Sequence, residues 1–247
     1  MRERLTIAID GPAGAGKSTC ARRLAERLGY RFLDTGAVYR AATLAALRAG
    51  IDPGDEARVA EIARLARIVL EGVGPEGKVL LDGEDVSREI RGPAVTNAVS
   101  TVAAHPSVRL AVVPFQRDFA AGGGVVAEGR DIGTVVFPDA DVKFFLDADP
   151  VVRAARRAHE RGDGDVARVE QEIRARDKMD TERKAAPLRA ASDAVVVDTT
   201  GLTLDAVVDL LERTVRDLKS DVERAARDVA THAATAPPET DAESGLL

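Results

Sequence analysis

Residues 5–30, LTIAIDGPAGAGKSTCARRLAERLGY, pass from an apolar run through a set of glycines into a helical pattern. LTIAI (5–9) is short and rich in β-branched residues, which suits a buried strand. KSTCARRLAERL then repeats apolar residues at helical spacing, and Gly29 supplies a stop. Between them lies Gly11-Pro12-Ala13-Gly14-Ala15-Gly16-Lys17-Ser18-Thr19, which matches G-x-x-x-x-G-K-[ST] in the strand-to-helix setting that the pattern requires. Glycines let successive backbone N–H groups turn inward on phosphate oxygens, and the helix N-terminus adds positive dipole. The stretch therefore reads as a polyphosphate cradle. Lys17 would reach the β- and γ-phosphates and the Ser18 hydroxyl would ligate Mg2+. A bare glycine turn that binds nothing is the alternative, and the strand–helix context argues against it.

Outward from this stretch the alternation continues. RFLD (31–34) reads as a second strand, and 36–50 and 55–66 as helices. ARIVLEGVGPEGKVLLDGEDVS (66–87) breaks the pattern with two β-runs around Gly-Pro-Glu-Gly, the signature of an antiparallel hairpin. Helical stretches follow near 93–104 and 107–120. Buried strands are expected at 124–133, 142–148 and 193–199, with long Arg-rich helices between the last two. Helices alternating with short apolar strands imply an α/β fold whose parallel sheet is covered on both faces. The hairpin is then an insert. The expected organisation is one domain over 1–219, with the insert at about 66–105. From 220 to 247 the chain is polar and Ala-rich, and a partly disordered tail is expected.

The chain has 247 residues, 45% hydrophobic and 31% charged, as in ordinary globular domains. A net charge of -6 argues against nucleic-acid binding by the whole surface. Cys20 is the only cysteine, so no intramolecular disulfide can form and a reducing compartment fits. No apolar run approaches a membrane span, and no signal-peptide core precedes the first strand. A cytoplasmic protein without membrane or nucleic-acid partners is expected. His105, His159 and His232 are scattered, and no structural metal is expected.

A phosphate loop serves switches, motors and kinases alike. Guanine-specific switches use N-K-x-D, but the only asparagine, Asn97, is followed by alanine. VKFFLDAD (142–149) resembles a motor's Walker B strand only loosely. Phosphoryl transfer to a small anionic acceptor remains, and that needs a second anion site, for which arginine is suited. Among 29 arginines, four are informative by position. Arg40 follows the second strand in DTGAVYR. Arg130 ends a buried strand beside Asp131, where open α/β sheets place ligands. Arg176 and Arg183 flank Asp180 in RARDKMDTER. A structural ion pair is the alternative for Arg130–Asp131.

These segments together resemble the bacterial cytidylate kinases, the CMP/dCMP kinases among nucleoside monophosphate kinases. The likeness runs through IDGPAGAGKST, LDTGAVYRA, LLDGEDVSREIR, VTNAVSTVAAHPSVR, EGRDIGTVVFPDADVKFFLDAD and RARDKMDTERKAAPLRAASDAVVVDTT, from residue 5 to about 218. It implies a five-stranded parallel sheet, a monophosphate-binding insert with antiparallel strands, and an Arg-rich helical lid at about 151–166. By position, Gly11 to Thr19 would bind ATP phosphates. Arg40, Arg130 and Arg183 would hold the CMP phosphate, and Thr35, Arg176 and Asp180 the sugar. Ser100, Arg109 and Asp131 would read cytosine. Glu128 stands where aspartate also occurs and is given no role.

The implied reaction is in-line transfer from ATP, with Mg2+, to a phosphate oxygen of CMP or dCMP. Lys17, Arg130 and Arg183 would stabilise charge, together with Arg153 and Arg157 of the lid. Asp131 can accept from the cytosine N4 amine, whereas uracil offers an acceptor there. A monomer is expected. A kinase for another acceptor such as UMP, and a nucleotide-binding regulator, are the competing readings.

Overall fold

The computed structural model describes residues 4–72 and 77–235. In chain order the strands are β1 Thr6–Asp10, β2 Arg31–Asp34, β3 Ile68–Glu71, β4 Lys78–Leu81, β5 Glu84–Asp85, β6 Val125–Gly129, β7 Val142–Asp147 and β8 Val195–Asp198. The helices are α1 Lys17–Leu28, α2 Thr35–Arg48, α3 Glu56–Leu65, α4 Pro93–Ala104, α5 Pro106–Phe119, α6 Pro150–Arg161, α7 Val166–Glu182 and α8 Leu204–Thr235.

Five strands form a parallel sheet in the order β2-β6-β1-β7-β8. Every residue of β1 and β6 is buried, because helices cover both faces of the sheet centre. On one face Ile7, Ile9, Phe144 and Leu146 pack against Leu24 of α1 and Val208 and Leu211 of α8. On the other, Ala8, Leu33 and Ala127 meet side chains of α5 and of the turn after β6. β1 lies between β6 and β7, so the loop leaving β1 emerges beside the loop leaving β6. That crevice at the C-terminal strand ends is where open sheets bind ligands.

The hairpin is an insert, as its sequence implies. β3 and β4 pair antiparallel, Ile68 opposite Leu81, and the short β5 adds a third strand that the sequence reading left out. Residues 74–76 of the expected turn lie outside those described. Val79, Leu81, Val86 and Ile90 pack on Ala37, Ala41 and Leu44 of α2, which anchors the insert beside the cleft. Prolines at the first positions of α4 and α5 start both helices, and the two meet at 96°.

Two segments differ from the sequence reading. The strand expected over 124–133 stops at Gly129, and Ile132–Val136 makes one π-helical turn. In it Phe137 N–H donates to Ile132 O at 2.7 Å. The stretch set apart from 220 onward continues α8 as helix to Thr235, and 236–247 lie outside the described residues. Among the described residues no single helix is long and apolar enough to cross a membrane.

Candidate active site

Two glycines of the phosphate loop have no room for a side chain. At Gly11, φ is 147° and an added Cβ would sit 2.0 Å from the Leu146 carbonyl oxygen. At Gly14, φ is 77° and a Cβ would come within 2.8 Å of the Arg153 carbonyl oxygen. Glycine is therefore required at both by conformation and by contact. Lys17 opens α1, is buried, and donates from Nζ to Pro12 O at 2.7 Å. Burial, reinforced by the nearby Arg130 guanidinium, lowers its pKa to about 7. Next to it, Ser18 Oγ donates to Glu128 Oε1 at 2.7 Å.

Glu128 is the residue that sequence reasoning missed. It is the penultimate residue of β6, and the parallel register sets it beside Ile9 of β1. Burial, then repulsion from Asp34, raises its pKa. Its backbone oxygen accepts from Thr35 Oγ1 at 2.7 Å. A carboxylate inside an apolar strand run was the available signal, since buried charge persists only with a partner or a ligand. Ser18 and Glu128 supply hard oxygen donors of the kind that hold Mg2+, which keeps waters and phosphate oxygens in its remaining positions.

Across the cleft stands the arginine constellation. Arg109 from α5 pairs with Asp131 Oδ2, and Arg183, which follows α7, donates to Asp131 Oδ1 at 3.1 Å. Arg130 Nε meets Asp180 Oδ2 at 2.8 Å. Arg40 of α2 donates to Ile90 O and Thr96 Oγ1, both at 3.0 Å, which ties it to the insert and to α4. Burial and neighbouring guanidinium groups push Arg40 and Arg176 down to about 10, and burial also lowers Arg183. Buried nitrogens of Arg109 and Arg176 have no hydrogen-bond partner among the described residues. Donors of that kind are costly to strand, and an anionic ligand with several acceptor oxygens offsets the cost.

One cavity of about 590 Å³ takes in both sides. Its walls include Ala13, Gly14, Gly16, Lys17, Ser18 and Thr19 from the loop, and Thr35, Arg40, Ser100, Arg109, Arg130, Asp131, Arg176, Asp180 and Arg183 from the far side. The predicted cradle and the predicted acceptor residues are thus brought together. Arg157 of α6 also lines the cavity and pairs with Glu160 at 2.8 Å.

Arg153 stands elsewhere. Its side chain is 7% exposed and bonds Ala148 O and Ala13 O, each at 2.9 Å, and Asp177. Asp177 in turn accepts from Ala13 N–H at 2.9 Å. Helical spacing put Arg153 and Arg157 on neighbouring turns, but only the packing of α6 on α7 shows that Arg153 faces the loop's underside.

A parallel sheet with a phosphate loop, facing a second site for an anion in the same cavity, defines a P-loop kinase for a small phosphorylated acceptor. Residues 7–217 match the family model described as cytidylate kinase. The cytidylate kinase of Geobacillus kaustophilus (strain HTA426) is 51% identical over 222 residues, 88% of this chain and 99% of that protein. That of Nocardia farcinica (strain IFM 10152) is 52% identical over 218 residues, 85% of this chain and 93% of that protein. That of Mycobacterium avium (strain 104) is 50% identical over 230 residues, 91% of this chain and 100% of that protein. The chain belongs to the cytidylate kinase family.

Proposed function

We propose that the chain transfers the γ-phosphoryl group of ATP to CMP or dCMP, giving ADP with CDP or dCDP, as a cytoplasmic monomer. The observation that carries this reading is the single cavity in which the Lys17 loop faces Asp131, Arg109 and Arg183. A regulator that binds one nucleotide has no use for the second, arginine-lined half.

The acceptor is a phosphate oxygen that is already anionic at neutral pH, so no general base is needed. Rate enhancement then rests on alignment and on charge stabilisation. The loop from Gly11 to Thr19 holds the ATP phosphates through its free backbone N–H groups, Pro12 having none and that of Ala13 being bonded to Asp177, and Lys17 bridges toward the transferring group. Arg40, Arg130 and Arg183 hold the acceptor phosphate, with Thr35, Arg176 and Asp180 at the sugar. Ser18 and Glu128 would hold Mg2+, which would neutralise phosphate oxygens when bound with ATP. Arg157 closes from the lid and helps to exclude water, the competing acceptor. Arg153 holds the loop through Ala13.

Base selection falls to Asp131, Arg109 and Ser100. Each Asp131 oxygen already accepts one arginine and keeps capacity for the N4 amine of cytosine. Coupled ADP production with ATP and Mg2+ against CMP, dCMP, UMP, AMP and GMP tests the reading. Strong turnover with CMP and dCMP supports it. Equal or faster turnover with UMP or AMP overturns the base assignment, and silence on all five overturns the kinase reading.

A further inference from the structure

Asp10 is the last residue of β1, adjoins Gly11 of the phosphate loop, and is 3% exposed. Its Oδ1 accepts the Ile132 N–H and its Oδ2 accepts the Gly133 N–H, both at 2.7 Å. Those donors open the π-helical turn directly after Arg130 and Asp131. In the sheet, Asp10 is paired in register with Gly129, so Gly11 and Arg130 leave their strands side by side. The main chain of Asp10 thus feeds the donor's loop while its side chain grips the segment that carries the acceptor site. The residue does not line the cavity.

Carboxylate–amide bonds of this kind are charge-assisted and directional, and two to consecutive amides fix both the position and the orientation of that peptide. Burial raises the Asp10 pKa to about 6, so the site retains a carboxylate at an energetic cost that an apolar residue would avoid. Gly133 is packed closely between Asp10 and Lys143. A Cβ there would approach Asp10 Oδ2 to 3.4 Å and Lys143 Cδ to 3.1 Å. One-turn π segments concentrate at functional sites, and this one carries no cavity-lining residue of its own. Its role is to be held.

We infer that Asp10 is a positioning residue that joins the two nucleotide sites, fixing the Arg130–Asp131 segment to the phosphate loop and so setting the gap that the phosphoryl group crosses. This deepens the (d)CMP kinase reading and rests on it.

The test uses the full chain with Asp10→Asn and Gly133→Ala, each compared with wild type for kcat, KM for CMP, ATP affinity by calorimetry and thermal unfolding. Asparagine keeps one acceptor and turns an amide donor toward a backbone donor. Asp10→Asn is expected to lower kcat/KM for CMP about a hundredfold, the cost of roughly 1 Å of misplacement, while ATP affinity is held. Gly133→Ala crowds the same joint from the other side and is expected to act in the same direction, less strongly. Unchanged kinetics with CMP in both variants overturns the inference, as does loss of ATP affinity in step with CMP. If Asp10→Asn does not fold, unchanged CMP kinetics in Gly133→Ala overturns it alone. Wild type without CMP-dependent turnover overturns the functional reading instead. Turnover that Asp131→Asn impairs and these two variants do not overturns only the joint.

Discussion

Ser18 Oγ donates to Glu128 Oε1 at 2.7 Å, across 110 residues of chain. The contact exists because β1 and β6 are neighbours in register, so the first turn of α1 faces the end of β6. A hydroxyl on a buried carboxylate, at the mouth of a phosphate loop, offers oxygen donors of the type that the proposed Mg2+ would use.

Glu128→Gln keeps the shape and removes the charge. It is expected to cut activity about 10–100-fold and to raise the Mg2+ concentration needed for half-maximal rate. Titrating the rate against Mg2+ at saturating ATP checks this. An unchanged Mg2+ curve would remove Glu128 from the metal's surroundings.

Lys17 titrates near 7 because burial, with Arg130 nearby, disfavours its ammonium form. The folded pKa lies below the unfolded 10.5, so between about 7 and 10.5 the unfolded chain holds the extra proton. Stability of the unliganded protein from this group therefore rises with pH across that window. Phosphate oxygens reverse the shift, so ATP binding at pH 8 should take up a proton at Lys17. Calorimetry in two buffers of different ionisation enthalpy reads that uptake directly. Lys17→Ala should abolish both the uptake and turnover. No uptake by the wild type would mean that Lys17 is already charged in the empty loop.

Asp131→Asn should weaken CMP more than UMP. The amide can present a donor to the cytosine amine, a mismatch costing about 1–3 kcal/mol, whereas the same donor suits the uracil O4. Measured as kcat/KM for both nucleotides, the ratio should move toward UMP. Equal losses on both would leave Asp131 as an ion-pair partner of Arg109 and Arg183 and nothing more.

The phosphate loop and the five parallel strands were legible because each is encoded locally, by glycine spacing or by a short apolar run. The hairpin showed itself by breaking the alternation. What could not be read depends on register and packing between distant segments. Nothing local to EGRD says that Glu128 faces Ser18, or that the strand must end at Gly129 so that Asp10 can take two amides. The helical run of α8 past 220 was hidden because its composition, Ala-rich and charged, serves a helix and a solvated tail equally well. The arginines around Asp131 and Asp180 were placed by resemblance. Their mutual pairing became visible only once α5, β6 and α7 converged.

Arg153 and Arg157 lie on one helix in different surroundings, the first beneath the phosphate loop and the second on the cavity wall. Arg153 satisfies two backbone oxygens and Asp177, and its removal leaves the largely buried Asp177 carboxylate beneath the phosphate loop with the Ala13 N–H but no cation. Breaking a buried pair from one side costs about 3–5 kcal/mol. Arg153→Ala should therefore lower the denaturant midpoint strongly, and ATP affinity with it, since Ala13 loses its brace. Arg157 is 36% exposed, paired with Glu160 alone among the described residues, and on the cavity wall. Exposed pairs contribute about 0–1 kcal/mol, so Arg157→Ala should unfold almost as the wild type does. Its loss should fall on kcat, because the lid would close without its cation. Denaturant unfolding and steady-state kinetics on the two variants decide the matter. A folded, stable Arg153→Ala with a purely kinetic defect would return Arg153 to the catalytic set.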